Sequence, residues 1–415
     1  MNDQPADHGT DALPDWAPGL SRIPYWLFQR QDVADAERTR IFHGPSWNYL
    51  GLAAEVPNPG DYRCTWVGDT PVVMVRDDHG EVRAWENRCA HRGALIAVEN
   101  QGNAKSFACV YHAWTYDQAG TLTSVAFQKG IKGQGGMPRD FDICQHGPRK
   151  LKIAVLCGLV FASFDHAAVP LEEYLGEAIV ARVRRVFLGR TPKILGRFTQ
   201  VLPNNWKLYA ENTRDSYHAS ILHLFFTTFK INRLGMKGGI IVNHHGGCHV
   251  SWSSNTQPKA SADDYSGLRA DSGYQLADPT LLRGFDEFHD DVTLQILSVF
   301  PGFILQQIQN ALAVRQMVPR GPDKADLHWT YFGFEEDTPE QTEVRLKMAN
   351  LMGTGGFISM EDGCVGGFVQ RGIAGAADQQ ALLMMGGHDA DSQDSRVTES
   401  SIRGFWKAYR AAMGI

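Results

Sequence analysis

Four side chains that can bind a metal or carry a proton lie within residues 204–223. They are Glu211, Asp215, His218 and His223, and they stand among apolar residues that favour burial. Because a helix advances by about 100° per residue, Glu211, Asp215 and His218 would share one helical face, whereas His223 would point about 140° away from His218. Either the helix is distorted here, or His223 serves another purpose.

The donor types in this stretch indicate a transition metal. Two neutral imidazoles beside buried carboxylates suit zinc, iron, copper or nickel better than calcium or magnesium. Without a metal, the same residues would be two core histidines and a carboxylate on a helix surface. The residues of this stretch alone leave both interpretations open.

A second group of metal-binding side chains lies nearer the N-terminus. Cys89 is followed by His91, and after seventeen further residues Cys109 is followed by His112. Structural zinc accepts two cysteines and two histidines, but a zinc finger groups the two cysteines together and the two histidines together. Here each loop supplies one of each. This arrangement favours a Rieske [2Fe–2S] cluster, in which cysteines bind one iron and histidines the other.

Short runs rich in β-branched and aromatic residues surround the cysteine–histidine motif and predict an all-β domain over residues 46–165. Within it, residues 71–76 and 82–85 predict one strand pair, and residues 151–155 and 159–164 predict another. This domain would hold both loops of the motif.

The remaining elements predict an α+β domain over residues 166–415, preceded by an N-terminal segment, residues 1–45, that packs on it. Alternating runs predict an antiparallel sheet, at residues 239–243, 293–300, 304–315 and 327–333. Helices are predicted at residues 31–42, 339–351 and 400–413, and a loop at residues 256–275. The expected architecture of this domain is helix-grip-like, with helices held against the sheet.

The composition of the chain excludes several classes of protein. Its 415 residues, 43% hydrophobic and 21% charged, are typical of a globular protein of two or three domains. A net charge of −6 without a long basic run argues against nucleic-acid binding. No apolar run reaches the ~18–20 residues of a membrane span, and the N-terminus lacks the apolar core of a signal peptide. Seven cysteines give no disulfide framework. A soluble, cytoplasmic protein is expected.

Together the two motifs resemble those of aromatic-ring-hydroxylating oxygenase α subunits. Cys-x-His-Arg-Gly at residues 89–93 and Cys-x-Tyr-His-x-Trp at residues 109–114 are similar to the family's Rieske motif, and residues 211–223 are similar to its mononuclear-iron motif. The resemblance covers essentially the whole chain. Within the family, residues 125–138 and 358–374 most resemble terephthalate dioxygenases, and salicylate 5-hydroxylase and anthranilate dioxygenase large subunits are more distant.

The resemblance implies a role for each motif residue in the β domain. Cys89 and Cys109 would bind one iron of the [2Fe–2S] cluster, and His91 and His112 would bind the other. The remaining cysteines have no metal-binding partner nearby and are predicted to be ordinary buried thiols, at residues 64, 144, 157, 248 and 364.

In the catalytic domain, the resemblance implies that His218, His223 and Asp362 bind a mononuclear Fe(II) as a facial triad with open positions for oxygen. Glu361 is the alternative to Asp362. Asp215 matches the family's bridging aspartate. It would hydrogen-bond a triad histidine on one side and, across a trimer interface, a cluster histidine of the neighbouring subunit on the other.

Two arginines, Arg315 and Arg403, match positions that resemble carboxylate-binding arginines of terephthalate dioxygenases. The planar guanidinium pairs bidentately with a carboxylate. The alternative for each is a structural ion pair, for example with Glu399 or Glu361. Two arginines fit a para-dicarboxylate, but salicylate-type relatives resemble the chain at both positions, so the pair does not select the substrate. Apolar walls are expected from residues that otherwise pack in the core: Phe225, Leu294, Ile296, Val299 and Ile304.

The resemblance therefore implies a terminal oxygenase α subunit that cis-dihydroxylates an aromatic carboxylate, with terephthalate expected. The alternatives are salicylate 5-hydroxylation and dioxygenation of anthranilate or a halobenzoate. No flavin or nicotinamide fingerprint is present, so electrons would come from a separate NADH-dependent reductase. A small β subunit would complete an α3β3 hexamer. Two alternatives of other classes are a Rieske electron carrier fused to a ligand-binding domain without oxygenase chemistry, and a zinc-stabilised interaction protein.

Overall fold

The computed structural model describes residues 13–229, 231–233, 235–254, 275–353 and 358–415. All but the last residue of the loop predicted at 256–275 lie outside these ranges, as do the first twelve residues of the N-terminal segment.

Antiparallel strands build the N-terminal part of the chain around the cysteine–histidine motif. They are β1 (Arg22–Pro24), β2 (Asn48–Leu52), β3 (Asp61–Val67), β4 (Thr70–Arg76), β5 (Val82–Glu86), β6 (Gln101–Asn103), β7 (Phe107–Ala108), β8 (Thr115–Tyr116), β9 (Leu122–Ser124), β10 (Lys152–Leu156) and β11 (Leu159–Ser163). Apart from β1, they form three small sheets in the orders β5-β4-β3-β6, β10-β11-β2 and β7-β8-β9. Both predicted strand pairs are confirmed.

One seven-stranded antiparallel sheet organises the C-terminal part, in the order β12-β18-β17-β16-β15-β14-β13. The strands are β12 (Pro192–Leu202), β13 (Gly238–Val242), β14 (Cys248–Ser254), β15 (Val292–Val299), β16 (Phe303–Ile308), β17 (Ala311–Pro319) and β18 (Ala325–Phe334); β19 (Gln380–Leu382) pairs with β1. The single run predicted at residues 304–315 is wrong. The chain reverses at Gln309, whose φ is 52°, and forms the hairpin of β16 and β17.

The helices of the described ranges include the three that the sequence predicts. They are α1 (Gln31–Glu37), which continues as a π-helical turn (Arg38–Phe42), α2 (Leu171–Leu175), α3 (Glu177–Phe187), α4 (Trp206–Asn212), α5 (Ala219–Leu222), α6 (Leu224–Thr228), α7 (Pro339–Met352), α8 (Ile358–Gly372) and α9 (Ser400–Met413). The predictions at residues 31–42, 339–351 and 400–413 are confirmed. Thr338 precedes α7 as its N-cap, and its hydroxyl accepts the backbone N–H of Gln341 in a capping box.

Helices pack on both faces of the large sheet. On one face, α3 contributes Val183 to a core that includes Leu297 of β15. On the other face, α4 and α9 contribute Trp206 and Trp406 to a core that includes Trp329 of β18. Because the sheet is antiparallel and the helices segregate from the small β sheets, the expected α+β class is confirmed.

A buried charge pair joins the N-terminal helix to α4. Lys207 Nζ lies 2.6 Å from Glu37 Oε1, which also accepts a 2.6 Å hydrogen bond from the hydroxyl of Tyr409. Trp206 Nε1 donates to the other carboxylate oxygen at 2.8 Å. All four groups belong to residues that are at most 2% exposed.

Replacing Lys207 with methionine leaves the Glu37 carboxylate buried without its cation. We expect the free energy of unfolding to fall by about 3–5 kcal/mol, measured by denaturant unfolding. The double variant K207M/E37Q should recover most of this loss, because it removes the stranded charge. An unfolding curve for K207M that overlays the wild-type curve would contradict this account.

Candidate active site

The histidine stretch is not one helix. Helix α4 ends at Asn212 and α5 begins at Ala219, so the prediction of a shared helical face is wrong and the alternative of a distorted helix is confirmed. Asp215 explains the break, because its Oδ1 accepts the backbone N–H groups of Tyr217 and His218, both at 3.2 Å, and starts the chain in a new direction.

The break brings both histidines to the same place, opposite a carboxylate of α8. His218 Nε2 and His223 Nε2 lie 3.4 and 3.3 Å from Asp362 Oδ1. One donor atom from each of the three residues lies within 4.8 Å of the other two. In the described part of the chain, no other group of three or more histidine, cysteine or acidic side chains converges in this way.

The neighbouring carboxylate, Glu361, contacts the outer side of the site. Its Oε2 lies 2.7 Å from His223 Nδ1, the nitrogen that faces away from Asp362. A carboxylate at this position orients an imidazole and fixes which nitrogen is free to bind a metal. Asp362 therefore has the geometry of a metal ligand. Glu361 has the geometry of a residue that hydrogen-bonds to a ligand, His223, and orients it.

Glycines let α8 approach the sheet closely enough to place Asp362. A Cβ on Gly363 would lie 2.7 Å from Gln200 Nε2, and a Cβ on Gly366 would lie 2.7 Å from Asn204 Oδ1. The sequence pattern did not predict α8, because these glycines and two more lower its helix propensity. The tertiary contact, which requires them, outweighs that propensity.

The three converging side chains hold protons and charge in a buried space. Burial lowers the pKa of His218, but its interactions with Asp215 and Asp362 outweigh this and raise that pKa to about 10. Burial raises the pKa of Asp362, and the two histidines more than offset it, so that this pKa lies well below its ordinary range. A metal at this position takes the place of these protons, because it requires neutral imidazoles and an ionised carboxylate.

Two further polar residues approach the histidines. Asp215 Oδ2 lies 3.6 Å from His218 Nδ1, which is an ion-pair distance rather than a hydrogen bond. Asn212 Nδ2 donates to Asp362 Oδ1 at 3.1 Å and lies 3.5 Å from His218 Nε2. Both residues line the cavity described next.

A cavity of about 60 Å³ opens beside the three converging residues. Its polar lining includes two arginines, Arg315 of β17 and Arg396 from the loop before α9. Arg315 Nη1 donates to the hydroxyl of Tyr209 at 2.9 Å, and its guanidinium lies 4.0 Å from the centre of the Trp329 ring. Apolar lining comes from Ala219, Phe226, Leu294, Ile296, Ile308, Trp329, Met352 and Ile358.

The structure places Arg315, but not Arg403, on the cavity wall. Arg403 is fully buried in α9, and its guanidinium donates to the backbone carbonyls of Leu383, Met385 and Asp389 at 3.3, 3.1 and 2.7 Å. These bonds hold the segment before α9. The second arginine of the cavity is Arg396, which the sequence pattern did not identify.

The other sequence predictions near the site are met in part. Of the expected apolar walls, Leu294 and Ile296 line the cavity, whereas Val299, Ile304 and Phe225 pack in hydrophobic cores. The prediction of five buried thiols is wrong in four cases. Only Cys248 is buried, whereas Cys64 and Cys157 are half-buried against hydrophobic cores and Cys144 and Cys364 are exposed.

Glu211, near the end of α4, forms no salt bridge with any residue in the described ranges. Trp406 Nε1 donates to its Oε1 at 2.6 Å. Burial of the carboxyl raises its pKa to about 8, and the charges of Glu399 and Asp215 add to the effect. The side chain is therefore protonated in the folded protein at neutral pH.

This raised pKa predicts that Glu211→Gln increases the stability of the folded protein by an amount that depends on pH. Unfolding lets Glu211 ionise near its ordinary pKa of 4.5, so the wild-type protein loses stability relative to the variant as pH rises from about 5 to 8. We expect the Tm of E211Q to exceed the wild-type Tm by a margin that widens over this range, measured by thermal melts at several pH values. A margin that is constant with pH would show that Glu211 is ionised when folded.

The cysteine–histidine motif lies on two loops at one end of the β domain. Cys89 and Cys109 are buried, and the rings of His91 and His112 lie 4.5 Å apart. The Tyr116 hydroxyl lies 3.2 Å from Cys89 Sγ. Ligands of one tetrahedral zinc would lie within about 4 Å of one another, but no three donor atoms of this motif lie within 4.8 Å among the described residues. The donor set therefore fits a two-iron cluster and not a single zinc ion.

The outer surface of these loops is apolar. His91 is exposed, and around it lie Val110, Tyr111 and Phe127, which are 79, 57 and 71% exposed. Exposed apolar side chains that cluster in this way mark a contact surface.

The fold and the two sites define an iron-dependent oxygenase subunit with two metal centres. Residues 46–133 match the family model of the Rieske [2Fe-2S] domain, and residues 190–415 match that of the ring hydroxylating alpha subunit (catalytic domain). The chain belongs to the ring-hydroxylating oxygenase α subunits. Its cofactors are accordingly a Rieske [2Fe–2S] cluster and a mononuclear iron, and it is an oxidoreductase of the ring-hydroxylating dioxygenase family.

Among its relatives, the chain is 57% identical to the alpha 2 subunit of the terephthalate 1,2-dioxygenase terminal oxygenase component of Comamonas sp., over 95% of this chain and 96% of the relative. It is 44% identical to the large subunit of anthranilate 1,2-dioxygenase from Burkholderia cepacia, over 95 and 94%. It is 40% identical to the large oxygenase component of salicylate 5-hydroxylase from Ralstonia sp., over 97 and 96%.

The fold is that of naphthalene 1,2-dioxygenase from Rhodococcus sp., whose crystal structure with indole superimposes with a TM-score of 0.77 at 23% identity, over 94% of each chain. None of the helices in the described ranges is long and apolar enough to cross a membrane.

Proposed function

We propose that this chain is the α subunit of an oxygenase that cis-dihydroxylates terephthalate with electrons from a separate NADH-dependent reductase. The observation that carries the proposal is one cavity bounded by the His218, His223 and Asp362 cluster and by two arginines, Arg315 and Arg396. A dicarboxylate with an aromatic ring matches two cations separated by apolar walls. The relative with 57% identity is named for this substrate.

In this proposal His218, His223 and Asp362 hold the mononuclear iron, and Cys89, His91, Cys109 and His112 hold the cluster. When bound, the iron supplies open coordination positions for oxygen and the cluster supplies single electrons. Glu361 holds the His223 ring so that Nε2 faces the metal position. Asn212 offers an amide donor beside Asp362.

The arginines fix the substrate. Arg315 and Arg396 each pair with a carboxylate, so the ring between them is held in one orientation beside the iron position. Leu294 and Ile296 pack against the ring and exclude water from it. Each arginine is largely buried, at 6 and 3% exposure, which strengthens its attraction for an anion.

We place the working pair of metal sites across a subunit boundary, in an α3β3 hexamer with a small β subunit. The exposed apolar surface around His91 supports a contact there. Asp215, which lies 3.6 Å from His218 Nδ1, then bridges to a cluster histidine of the neighbouring subunit and acts as the catalytic link between the sites. The domains in this proposal span residues 1–45, 46–165 and 166–415.

A single turnover tests this function. The purified oxygenase is reduced chemically, mixed with oxygen and terephthalate, and its products are identified by mass; salicylate and anthranilate are run in parallel. A terephthalate dihydrodiol is the expected product. Hydroxylated salicylate or converted anthranilate, with terephthalate untouched, would overturn the dicarboxylate substrate and retain the oxygenase.

A further inference from the structure

One buried side chain of the cavity lacks a partner that its chemistry requires. Gln306 of β16 is 1% exposed and lines the cavity, yet its Nε2 donates to no acceptor among the described residues. Buried polar groups in native proteins are almost always paired, so an unpaired amide donor of a cavity-lining residue is available to a ligand atom or to water.

The sheet register places Gln306 beside Arg315. Gln306 pairs with Ala313 of β17, and Arg315 is two residues further along the same strand, on the same face of the sheet. Diagonal neighbours of this kind lie about 7–8 Å apart at the backbone, within reach of long side chains. Of the two residues that adjoin this diagonal, Ala313 has only a methyl side chain, and Ile304 lies directly opposite Arg315.

Arg315 also carries an unpaired donor. Its Nη1 bonds to Tyr209, but its Nε has no hydrogen-bond partner among the described residues. Stacking on Trp329 holds the guanidinium plane. Two buried side chains of the cavity lining therefore carry unpaired N–H groups, and an ionised carboxylate, which only accepts hydrogen bonds, satisfies both.

We infer that Gln306 and Arg315 form one carboxylate subsite and that Gln306 is a specificity-determining residue of this oxygenase. Gln306 Nε2 donates to a carboxylate oxygen of the substrate that Arg315 pairs with, and Arg396 takes the carboxylate at the other end. The inference rests on the proposed function, which it deepens by dividing the cavity into two unequal ends. One end has the cation of Arg315 and the neutral amide of Gln306, and the other end has the cation of Arg396.

Equilibrium binding of terephthalate to the oxidised, substrate-free oxygenase tests the subsite without turnover. Gln306→Met keeps the length of the side chain and removes its donors, and we expect the Kd to rise by about tenfold to a hundredfold. Gln306→Glu places a carboxylate against the substrate carboxylate and should weaken binding further.

The matched control is Gln307→Met. Gln307 is also 1% exposed, but it faces the other side of β16, where it bonds to Arg185 and to backbone carbonyls of Val292 and Gln309. This variant should lower the Tm and leave the Kd unchanged. Visible absorption of the cluster and a cooperative melt establish that each variant is folded.

The outcomes separate this inference from the proposed function. Weaker binding by both Gln306 variants with normal binding by Q307M supports the subsite. Equal Kd values for wild type and Q306M, with tight binding by wild type, would contradict the proposed subsite and leave terephthalate as the proposed substrate. No binding of terephthalate by the wild-type oxygenase overturns the substrate and the subsite together.

Discussion

Replacing Asp362 with alanine should cost the purified enzyme its mononuclear iron and all product formation, and leave the visible spectrum of the Rieske cluster unchanged. The reason is geometric. Asp362 Oδ1 is the point at which the Nε2 atoms of His218 and His223 converge, and no other acidic oxygen in the described part of the chain joins them there. Two imidazoles alone bind iron weakly. Iron analysis together with absorption spectroscopy separates the loss of one iron per chain from loss of the cluster.

The matched comparison is Glu361→Gln, one residue earlier on the same helix. Glu361 contacts Nδ1 of His223 and not the metal position, so the Glu361→Gln variant should still bind iron, with an affinity about 10–100-fold below that of the wild type. Titration of the metal-depleted proteins with Fe(II) measures both affinities. If E361Q fails to bind iron while D362A still binds it, the roles assigned to the two acids must be exchanged.

The sequence pattern points to the two cysteine–histidine pairs and to the histidine pair because each pair is concentrated in a short segment. Cys89 and His91 lie on one loop and Cys109 and His112 on another, so their spacing alone separates a two-iron cluster from a zinc finger. His218 and His223 are likewise close in the chain. What their spacing could not provide was the path of the backbone between them, since the helix break depends on the side chain of Asp215 bonding to its own backbone.

The sequence left Glu361 as the alternative to Asp362 and did not predict Arg396, and both points depend on tertiary structure. Asp362 lies on α8, where glycines that weaken the helix locally are required by its contact with Gln200 and Asn204. Arg396 lies in a polar loop without periodicity, so no pattern marked it. The prediction of Arg403 rests on its resemblance to a carboxylate-binding arginine of terephthalate dioxygenases, but its position inside α9 is what keeps it from the cavity.

The contrast between Arg396 and Arg403 gives the second large expected effect. Arg396→Met should raise the KM for terephthalate by about a hundredfold or more, because it leaves a carboxylate in a buried site without its cation. Arg403→Met should leave this KM unchanged and lower the Tm, because it removes bonds to three backbone carbonyls and no contact with the cavity. Steady-state kinetics and thermal melts on both variants distinguish binding from folding.

Benzoate provides the sharper control, because it carries one carboxylate where terephthalate carries two. If Arg315 and Arg396 hold opposite ends, Arg396→Met should remove most of the preference for terephthalate over benzoate and change benzoate binding little. Equal losses for the two acids would mean that Arg396 shapes the cavity through its bond to Asn232 and does not bind a carboxylate. A raised KM for R403M with an unchanged Tm would show that Arg403 of α9, and not Arg396, binds the second carboxylate of the substrate.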